Sequence, residues 1–344
     1  MKTNLLLGTE TAPLLEVRGL TRHFALRGHG LFGRQKSLRA VDGVSFDIRA
    51  GETLSLVGES GCGKTTTGRL VLGMERATSG SVHYAGRAVS DSGGRAWRAL
   101  RRELQMVYQD PLGALDPRMN IARQVAEPLD IHDIGPRQGR SASALAMLKA
   151  VGLGAELSER YPHELSGGQQ QRVVIARALI VEPRLVVCDE PVSALDVSVQ
   201  AQVVNLLARL QRERGLAYLF ISHDLKVVRH ISHRVAVMYL GQIVELAPRD
   251  VLFTRPLHPY TQALIAAVPV PDPALREQRG RRRTVMGDPP SPIAPPPGCR
   301  FHTRCPMAVD ICRRDVPPLV EHLPGHRVAC HFADASAAAN GEAG

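Results

Sequence analysis

Short apolar runs alternate with amphipathic segments along most of this chain. Residues 14–24 and 41–48 alternate or run apolar in the manner of strands. A helix with one apolar face is predicted after Asp196, which is placed to cap it. Apolar runs typical of buried strands lie at 53–57, 185–188, 217–221 and 235–239. This alternation predicts an α/β domain with a largely parallel core sheet, whose ligand groups lie at the carboxyl ends of the strands.

The other segments predict how the chain is organised. From residue 97 to about residue 161 the pattern is helical, which indicates a helical subdomain at about 92–165 inside a domain that spans 14–270. Residues 271–298 are rich in Pro, Arg and Gly and predict a linker or an extended strap, and a cysteine-rich region follows at 299–331. We expect tails at both ends, at 1–13 and, disordered, at 332–344.

A glycine-rich loop between a predicted strand and a predicted helix carries the strongest chemical signal. Its residues are Gly58, Glu59, Ser60, Gly61, Cys62, Gly63, Lys64 and Thr65, followed by Thr66. Glycines let the backbone N–H groups point at phosphates, and the helix N-terminus adds a partial positive charge. Lys64 can reach the β- and γ-phosphates, and the Thr65 hydroxyl can bind Mg²⁺. A chance turn is the alternative, but the strand and helix on either side favour a P-loop for a nucleoside triphosphate.

Two further motifs fit nucleotide chemistry. Asp189 and Glu190 end an apolar run, where Asp189 suits a role in holding Mg²⁺ and Glu190 a role in polarising the attacking water. A plain turn cap is the alternative for this pair. The other motif, which precedes a helical run at 170–180, consists of Ser166, Gly167, Gly168 and Gln169. Ser166 is a good helix N-cap, but two glycines are more typical of a backbone that approaches phosphate.

Composition and charge narrow the class of protein. The chain has 344 residues, 44% hydrophobic and 22% charged, as expected for a globular protein. Its net charge of +10 suggests a nucleic-acid partner. The arginines are scattered, however, apart from a cluster at 276–283, and aromatic residues are only 4%, so we expect no nucleic acid and a solvated basic face, near anionic lipid. We find no apolar run long enough for a membrane helix and no secretory signal, so we expect a cytosolic protein whose membrane role comes through a partner.

The six cysteines are unevenly distributed. Cys62 lies in the glycine-rich loop and Cys188 in an apolar run, where reduced thiols are common. The other four, separated by five, six and seventeen residues, are Cys299, Cys305, Cys312 and Cys330. In a cytosolic protein such a cluster favours a metal over disulfides. A 4Fe-4S cluster is our hypothesis; zinc, with help from His302, His326 or His331, and four unligated thiols remain alternatives.

Three further motifs make the chain resemble the ATP-binding cassette (ABC) family. They are Gln109 in Val-Tyr-Gln-Asp, the loop from Ser193 to Asp196, and His223 in Ile-Ser-His-Asp. The resemblance implies that Gln109 senses Mg²⁺ and nucleotide, that His223 acts beside Glu190, and that the Asp196 loop borders a dimer interface. It also implies that Phe24 stacks on adenine, with His23 as the alternative and core packing as the plain interpretation of either residue.

The resemblance narrows to the ATPases of oligopeptide/dipeptide importers. It is carried by the segments at 108–118, 166–172, 190–202 and 258–264 and by the cysteine-rich tail. The sequence after Gly68 and the Pro-Val-Ser that follows Glu190 are similar to the second of the two ATPase subunits that such importers pair. The implied function is ATP hydrolysis that powers peptide import. An importer ATPase for nickel or glutathione, or a non-transport ABC ATPase, is the alternative.

The family also implies partners and a location. Two ABC ATPase subunits, here two related but different chains, pack head to tail so that residues 166–169 of one complete the ATP site of the other. Two transmembrane permease subunits each insert a short helix near Gln109, and an extracytoplasmic substrate-binding protein acts indirectly. The expected location is peripheral, on the cytoplasmic face of the inner membrane.

Overall fold

The computed structural model describes residues 12–26, 36–89, 94–268 and 287–333. Their strands form two sheets, of which the smaller is antiparallel. Its order is β2 (Lys36–Ile48), β1 (Leu15–Leu26), β4 (Ser79–Tyr84) and β5 (Arg87–Ala88). The arginine cluster at 276–283, most of the predicted linker and nearly all of both predicted tails lie outside the described residues.

The larger sheet carries the core of the domain. Its order is β11 (Val320–Leu323), β12 (His326–Val328), β10 (Gln242–Pro248), β9 (Arg234–Tyr239), β3 (Thr53–Val57), β8 (Ala217–Ser222), β7 (Leu185–Asp189) and β6 (Leu104–Val107). The strands from β9 to β6 are parallel, and every residue of β3, β7 and β8 is buried. Unbroken apolar runs are what a parallel strand covered on both faces requires. The predicted α/β fold with a largely parallel core sheet is confirmed.

Helices cover this sheet and build the helical subdomain. They are α1 (Lys64–Val71), α2 (Gly94–Glu103), α3 (Pro111–Ala114), α4 (Ile121–His132), α5 (Arg137–Ala150), α6 (Gly167–Leu179), α7 (Val197–Arg214), α8 (Leu225–Ile231), α9 (Arg249–Thr254), α10 (Pro259–Ala266) and α11 (Asp310–Arg314). Short 3₁₀ turns lie at Ala155–Leu157 and Pro162–Glu164. Helices α4, α5 and α6 share one apolar cluster through Ile121, Leu148 and Val173. Among the described residues, we find no helix with the length and apolar character needed to cross a membrane.

One part of the segment that the sequence predicts to be helical is a strand. Residues 104–107 form β6, which pairs in parallel with β7 at the edge of the core sheet. The apolar run is only four residues long and follows the arginine-rich helix α2, which has no buried residue within the described part of the chain. A run this short does not distinguish a strand from a helix by its period, and the helical prediction was wrong there.

The C-terminal region continues the core sheet. Strand β12 pairs antiparallel with β10, with Glu245 opposite Val328. The Nε2 atom of His326 lies 2.7 Å from Oε1 of Glu245, and both side chains are fully buried. Glu245 also accepts hydrogen bonds from the backbone N–H groups of Leu257 and His258. The region after the predicted linker is therefore joined to the core sheet by strand pairing and a buried polar cluster, which the sequence patterns did not indicate.

Candidate nucleotide site

The glycine-rich loop joins the end of β3 to the start of α1. Gly58, Gly61 and Gly63 have φ values of +155°, +78° and +108°. A Cβ atom at Gly58 would lie 2.1 Å from the Met238 carbonyl oxygen, and one at Gly63 would lie 2.1 Å from that of Ala40. Both the backbone conformation and the close approach therefore require glycine. Because Gly63 at the N-cap of α1 has no side chain to cap the helix, the first N–H groups of α1 are available to an anion.

Lys64 lies folded back across this loop. Its side chain is buried, and Nζ donates hydrogen bonds to the carbonyl oxygens of Gly58 and Glu59 at 2.9 and 3.0 Å. The neighbouring Cys62 is buried as well, and burial raises the pKa of its thiol. Cys62 is therefore a packed thiol in the loop, whereas Lys64 supplies a cation where phosphates would be bound.

Two oxygen-bearing side chains meet at the carboxyl ends of β3 and β7. The Thr65 hydroxyl donates to Oδ1 of Asp189 at 2.9 Å. Burial raises the pKa of Asp189 above its ordinary value, because the charged carboxylate is desolvated. A hydroxyl and a carboxylate are oxygen ligands of the kind that Mg²⁺ prefers, and a cation there would favour the charged form of Asp189.

Glu190 follows β7 and lies next to residues that follow the neighbouring strands β6 and β8. Its Oε2 lies 3.1 Å from Nδ1 of His223, which follows β8, and 3.2 Å from Nε2 of Gln109, which follows β6. The Glu190 side chain is 16% exposed and that of His223 is 56% exposed, so the cluster opens to solvent on the histidine side. A carboxylate with two such neighbours, next to the Thr65–Asp189 pair, can bind and orient a water molecule.

The segment at 166–169 begins helix α6 and forms a capping box. Oγ of Ser166 accepts from the Gln169 N–H at 3.4 Å, and Oε1 of Gln169 accepts from the Ser166 N–H at 2.9 Å. The plain interpretation as an N-cap is therefore also correct. Gly168 is needed for packing, since a Cβ there would lie 2.4 Å from Cγ1 of Val199. Ser166 and Gly167 are exposed, and no described hydrogen bond joins this segment to the P-loop of its own chain.

Three other predicted residues have different surroundings from those expected. Asp196 occupies the N-cap position of α7 and is exposed, but its side chain accepts no capping hydrogen bond from the described backbone. The predicted N-cap position of Asp196 is therefore confirmed, but its side chain does not satisfy the described N–H groups of the helix. Phe24 is half-buried with the Arg22 guanidinium 4.3 Å from its ring centroid, so Arg22 occupies one of the faces on which a base would stack. His23 lies 3.1 Å from Asp42 and is engaged in that pair.

The four C-terminal cysteines line one small cavity of about 10 Å³ together with Phe301. Burial raises the pKa of Cys299 and of Cys330 to about 11. Within the described residues, no group of three or more His, Cys, Asp or Glu side chains is arranged to hold a metal ion. The thiols are thus brought together, but the arrangement does not support the predicted metal centre.

Sequence reasoning missed two residues that contact the P-loop from the C-terminal side. The Tyr260 hydroxyl accepts a hydrogen bond from the Glu59 N–H, and Arg304 donates to the Glu59 carboxylate. Both residues belong to motifs that carry the family resemblance, at 258–264 and around the cysteines. No local pattern indicates that these distant segments reach the loop.

The fold and the loop geometry define a P-loop nucleotide-binding protein. The family model for the ABC transporter matches residues 41–193, and the model for the oligopeptide/dipeptide transporter C-terminal region matches residues 244–312. Similar proteins include the probable peptide ABC transporter ATP-binding protein y4tS of Sinorhizobium fredii, 52% identical over 95% of this chain and 92% of the relative. The oligopeptide transport ATP-binding protein OppF of Escherichia coli is 52% identical over 92% of this chain and 95% of its own length.

The solved structures agree with the sequence comparison. The dimeric structure of the ATP-binding cassette MJ0796 bound to ADP and Pi has a TM-score of 0.61 and 28% identity, covering 68% of this chain and 98% of that chain. This chain therefore belongs to the ABC transporter family, in the group of peptide-type ATP-binding subunits with the oligopeptide/dipeptide C-terminal region. The resemblance found in the sequence is confirmed.

Proposed function

We propose that this chain hydrolyses ATP to power the import of peptides through partner permease subunits. The observation that carries the proposal is the Glu190 carboxylate held between Gln109 and His223, beside the Thr65–Asp189 pair. Peptides as the cargo are supported by the printed names of the relatives and by the match to the oligopeptide/dipeptide C-terminal region. The comparisons do not favour the alternatives, which are an importer ATPase for nickel or glutathione and a non-transport role.

The proposed chemistry divides among a few side chains. The loop N–H groups and Lys64 bind the phosphates of ATP, and Thr65, Asp189 and Gln109 would hold Mg²⁺. When bound, Mg²⁺ neutralises charge on the phosphate oxygens. Glu190 accepts a hydrogen bond from the attacking water and directs its lone pair toward the γ-phosphate. His223, whose Nδ1 lies 3.1 Å from Oε2 of Glu190, would keep the carboxylate in this orientation.

The proposed active form contains two ATPase subunits, this chain and a related one. Ser166, Gly167 and Asp196 are exposed in the single chain, which supports a role across an interface. The solved cassette with a similar fold is dimeric. In this arrangement the N–H groups at the start of α6 complete an ATP site whose P-loop belongs to the other subunit.

The proposed docking site for the permease is a wide groove next to the nucleotide site. This cavity of about 1040 Å³ has Thr65 and Asp189 in its lining, together with Gln109. Its lining also includes the exposed apolar residues Met74, Tyr108 and Ile131 and the arginines Arg69, Arg98, Arg101 and Arg177. Exposed apolar side chains within a basic rim suit a short helix with an apolar face and acidic ends. This surface supports a peripheral location on a membrane partner, which we place on the cytoplasmic face of the inner membrane.

The four C-terminal thiols are proposed to hold an iron–sulfur cluster. The support for this proposal is the number and type of the donors, since four cysteine thiolates are the ligand set that such a cluster takes, and not their geometry in the described structure. The cluster would supply a stable cross-link between α11 and the strands of the C-terminal region. No step of ATP hydrolysis depends on it.

The function is tested by purifying the chain with its neighbours and measuring uptake. We expect co-purification with two membrane permeases, and ATP-dependent uptake of a labelled peptide when the complex is in vesicles with its substrate-binding protein. The same vesicles are given labelled nickel and glutathione in parallel. Uptake of one of these instead of the peptide would overturn the peptide proposal. A chain that co-purifies with no membrane permease would overturn the transport proposal.

A further inference from the structure

The P-loop is held by two side chains that lie outside all of its nucleotide motifs. Tyr260, in α10, is fully buried, and its hydroxyl accepts a hydrogen bond from the Glu59 backbone N–H at 3.0 Å. Arg304 donates from Nη1 and Nη2 to the two carboxylate oxygens of Glu59 at 2.8 and 3.0 Å. These partners are 201 and 245 positions away along the chain. Glu59 is therefore fixed at its main chain and at its side chain by the C-terminal part of the protein.

The contact between Arg304 and Glu59 has the features of a strong ion pair. It is bidentate, a geometry that sets orientation as well as distance. The Arg304 side chain is only 7% exposed and that of Glu59 29%, so water and salt screen the pair less than a surface pair. The Arg304 guanidinium also lies 3.4 Å from the Tyr239 hydroxyl. Removing Arg304 would therefore free the Glu59 side chain to move.

The same residue, Glu59, supports the phosphate-binding lysine of the loop. Nζ of Lys64 donates to the Glu59 carbonyl oxygen at 3.0 Å. A shift of Glu59 thus moves a hydrogen-bond partner of Lys64 as well as the start of the loop. An aromatic cluster of Tyr239, Tyr260 and Phe301, with ring centroids 4.7 to 5.4 Å apart, packs behind these contacts. The C-terminal region and the P-loop therefore share one packed support.

We propose that Arg304 and Tyr260 are positioning residues that hold the P-loop in its nucleotide-binding conformation. A loop that is ordered before binding loses less conformational entropy when it closes around phosphates, so the affinity for nucleotide rises. The C-terminal region then contributes to nucleotide binding by keeping the P-loop ordered. This inference rests on the nucleotide site proposed above.

The test is a double-mutant cycle on the full chain. The dissociation constant of Mg-ADP is measured by titration calorimetry for Arg304→Ala, Glu59→Ala and the double variant, together with the temperature of unfolding. We expect each single variant to weaken binding by about five- to tenfold, and the double variant to bind no more weakly than the weaker single one, because both changes remove the same contact. Arg304→Lys keeps the charge but loses the bidentate guanidinium geometry. Its dissociation constant should therefore lie between that of Arg304→Ala and that of the unchanged chain.

The control is Arg313→Ala, an exposed arginine of α11 in the same region, for which we expect an unchanged dissociation constant. Normal Mg-ADP binding by Arg304→Ala with a lower unfolding temperature would show a purely structural role and overturn the inference. If the fold-losses of affinity in Arg304→Ala and Glu59→Ala multiply in the double variant, the two residues act independently, and the inference is overturned as well. If Arg304→Ala does not fold, Tyr260→Phe decides: a weaker affinity supports the inference and an unchanged affinity overturns it.

Failure of this inference is distinguishable from failure of the proposed function. A full chain that binds no Mg-ADP, or that binds it as well after Lys64→Ala, would contradict the nucleotide site itself. Binding that is lost in Lys64→Ala but unchanged in Arg304→Ala and Tyr260→Phe would contradict only the positioning role.

Discussion

Glu190 adopts a backbone conformation that few residues other than glycine occupy. Its φ is +45°, in the left-handed region, and its backbone N–H donates to the Ile221 carbonyl oxygen at 3.0 Å. Such a conformation costs on the order of 1–3 kcal/mol and persists where the surroundings enforce it, often at functional sites. In this protein the turn directs the Glu190 side chain toward Gln109 and His223. The strain therefore supports the role proposed for this carboxylate.

Glu190→Gln should abolish turnover while sparing ATP binding. The substitution keeps the size of the side chain and one oxygen acceptor but removes the charge that polarises the attacking water. A positioned base contributes about 10²–10⁴-fold, so the rate of hydrolysis should fall by that order. The measurement is steady-state hydrolysis in the assembled transporter beside the dissociation constant for ATP.

Lys64→Ala provides the comparison, because it should weaken ATP binding itself through the loss of a phosphate contact. The two variants would then separate binding from catalysis. Near-normal turnover in Glu190→Gln would mean that another group, with His223 as the first candidate, positions the water.

His258 should make the stability of the fold depend on pH. Burial lowers the pKa of His258 to about 4, and its Nδ1 accepts a hydrogen bond from the Tyr260 N–H, which requires the neutral ring. Because the folded pKa lies below the unfolded value of about 6.5, the stabilisation is complete above pH 6.5 and is lost as the pH falls toward 4. The loss reaches up to about 3 kcal/mol.

This prediction is checked by denaturant unfolding at several pH values between 7.5 and 4. His258→Asn keeps an acceptor at the helix cap and removes the titration, so its free energy of unfolding should fall less over the same range. The difference between the two curves isolates His258 from the other groups that titrate. Parallel curves for the two proteins would contradict the prediction.

At the scale of single elements, helix α6 shows how one motif can serve two purposes. The capping box of Ser166 and Gln169 satisfies N–H groups at the start of the helix. The same exposed end is proposed to contact ATP bound to the neighbouring subunit. Ser166→Ala in this chain should therefore impair the site that contains the partner's P-loop and spare the site that contains Lys64.

The measurement uses a photoreactive ATP analogue that labels each P-loop separately in a complex of the two different subunits. Loss of the cap alone costs about 1 kcal/mol of helix stability, so the unfolding temperature is recorded to separate that effect. Equal loss of labelling at both sites would contradict the head-to-tail arrangement. An active complex in which crosslinking finds only identical chains would contradict the pairing with a different subunit.

Elements differed in how well the sequence indicated them. Strands β3, β7, β8 and β9 were predicted because a buried parallel strand needs an unbroken apolar run. Strand β6 was missed, since four apolar residues beside an arginine-rich helix have no distinct period. Strands β11 and β12 were missed because they are short and partly polar, and they are stabilised by pairing with β10, which local sequence does not reveal.

At the scale of the whole molecule, the residues of the candidate site were easier to predict than their supports. Gly58, Lys64, Asp189 and Glu190 lie in motifs whose chemistry requires those residue types at those spacings. The contacts of Arg304 and Tyr260 with Glu59 join segments more than two hundred positions apart, so they depend on the assembled fold. Tertiary contacts of this kind produce no periodic pattern in a single sequence, so they cannot be predicted from it.

The proposed iron–sulfur cluster predicts the composition of the isolated protein. Anaerobic purification should give iron and acid-labile sulfide in about equal amounts and little zinc, with about four irons per chain. Cys305→Ser should lower the iron content, whereas Cys188→Ser, at a cysteine buried in β7, should not. Zinc in place of iron, or a protein free of metal, would refute the cluster.

The pairing of β12 with β10 also bears on the solubility of shortened chains. In a chain that ends near residue 268, the backbone edge of β10 would be uncovered, although Ile243, Val244 and Leu246 are buried in the complete fold. An open apolar edge strand recruits other chains into intermolecular sheets. We therefore expect a truncated cassette to aggregate, as measured by light scattering, under conditions in which the full chain stays dispersed. The C-terminal region would thus protect the core sheet from self-association, in addition to its proposed effect on nucleotide affinity.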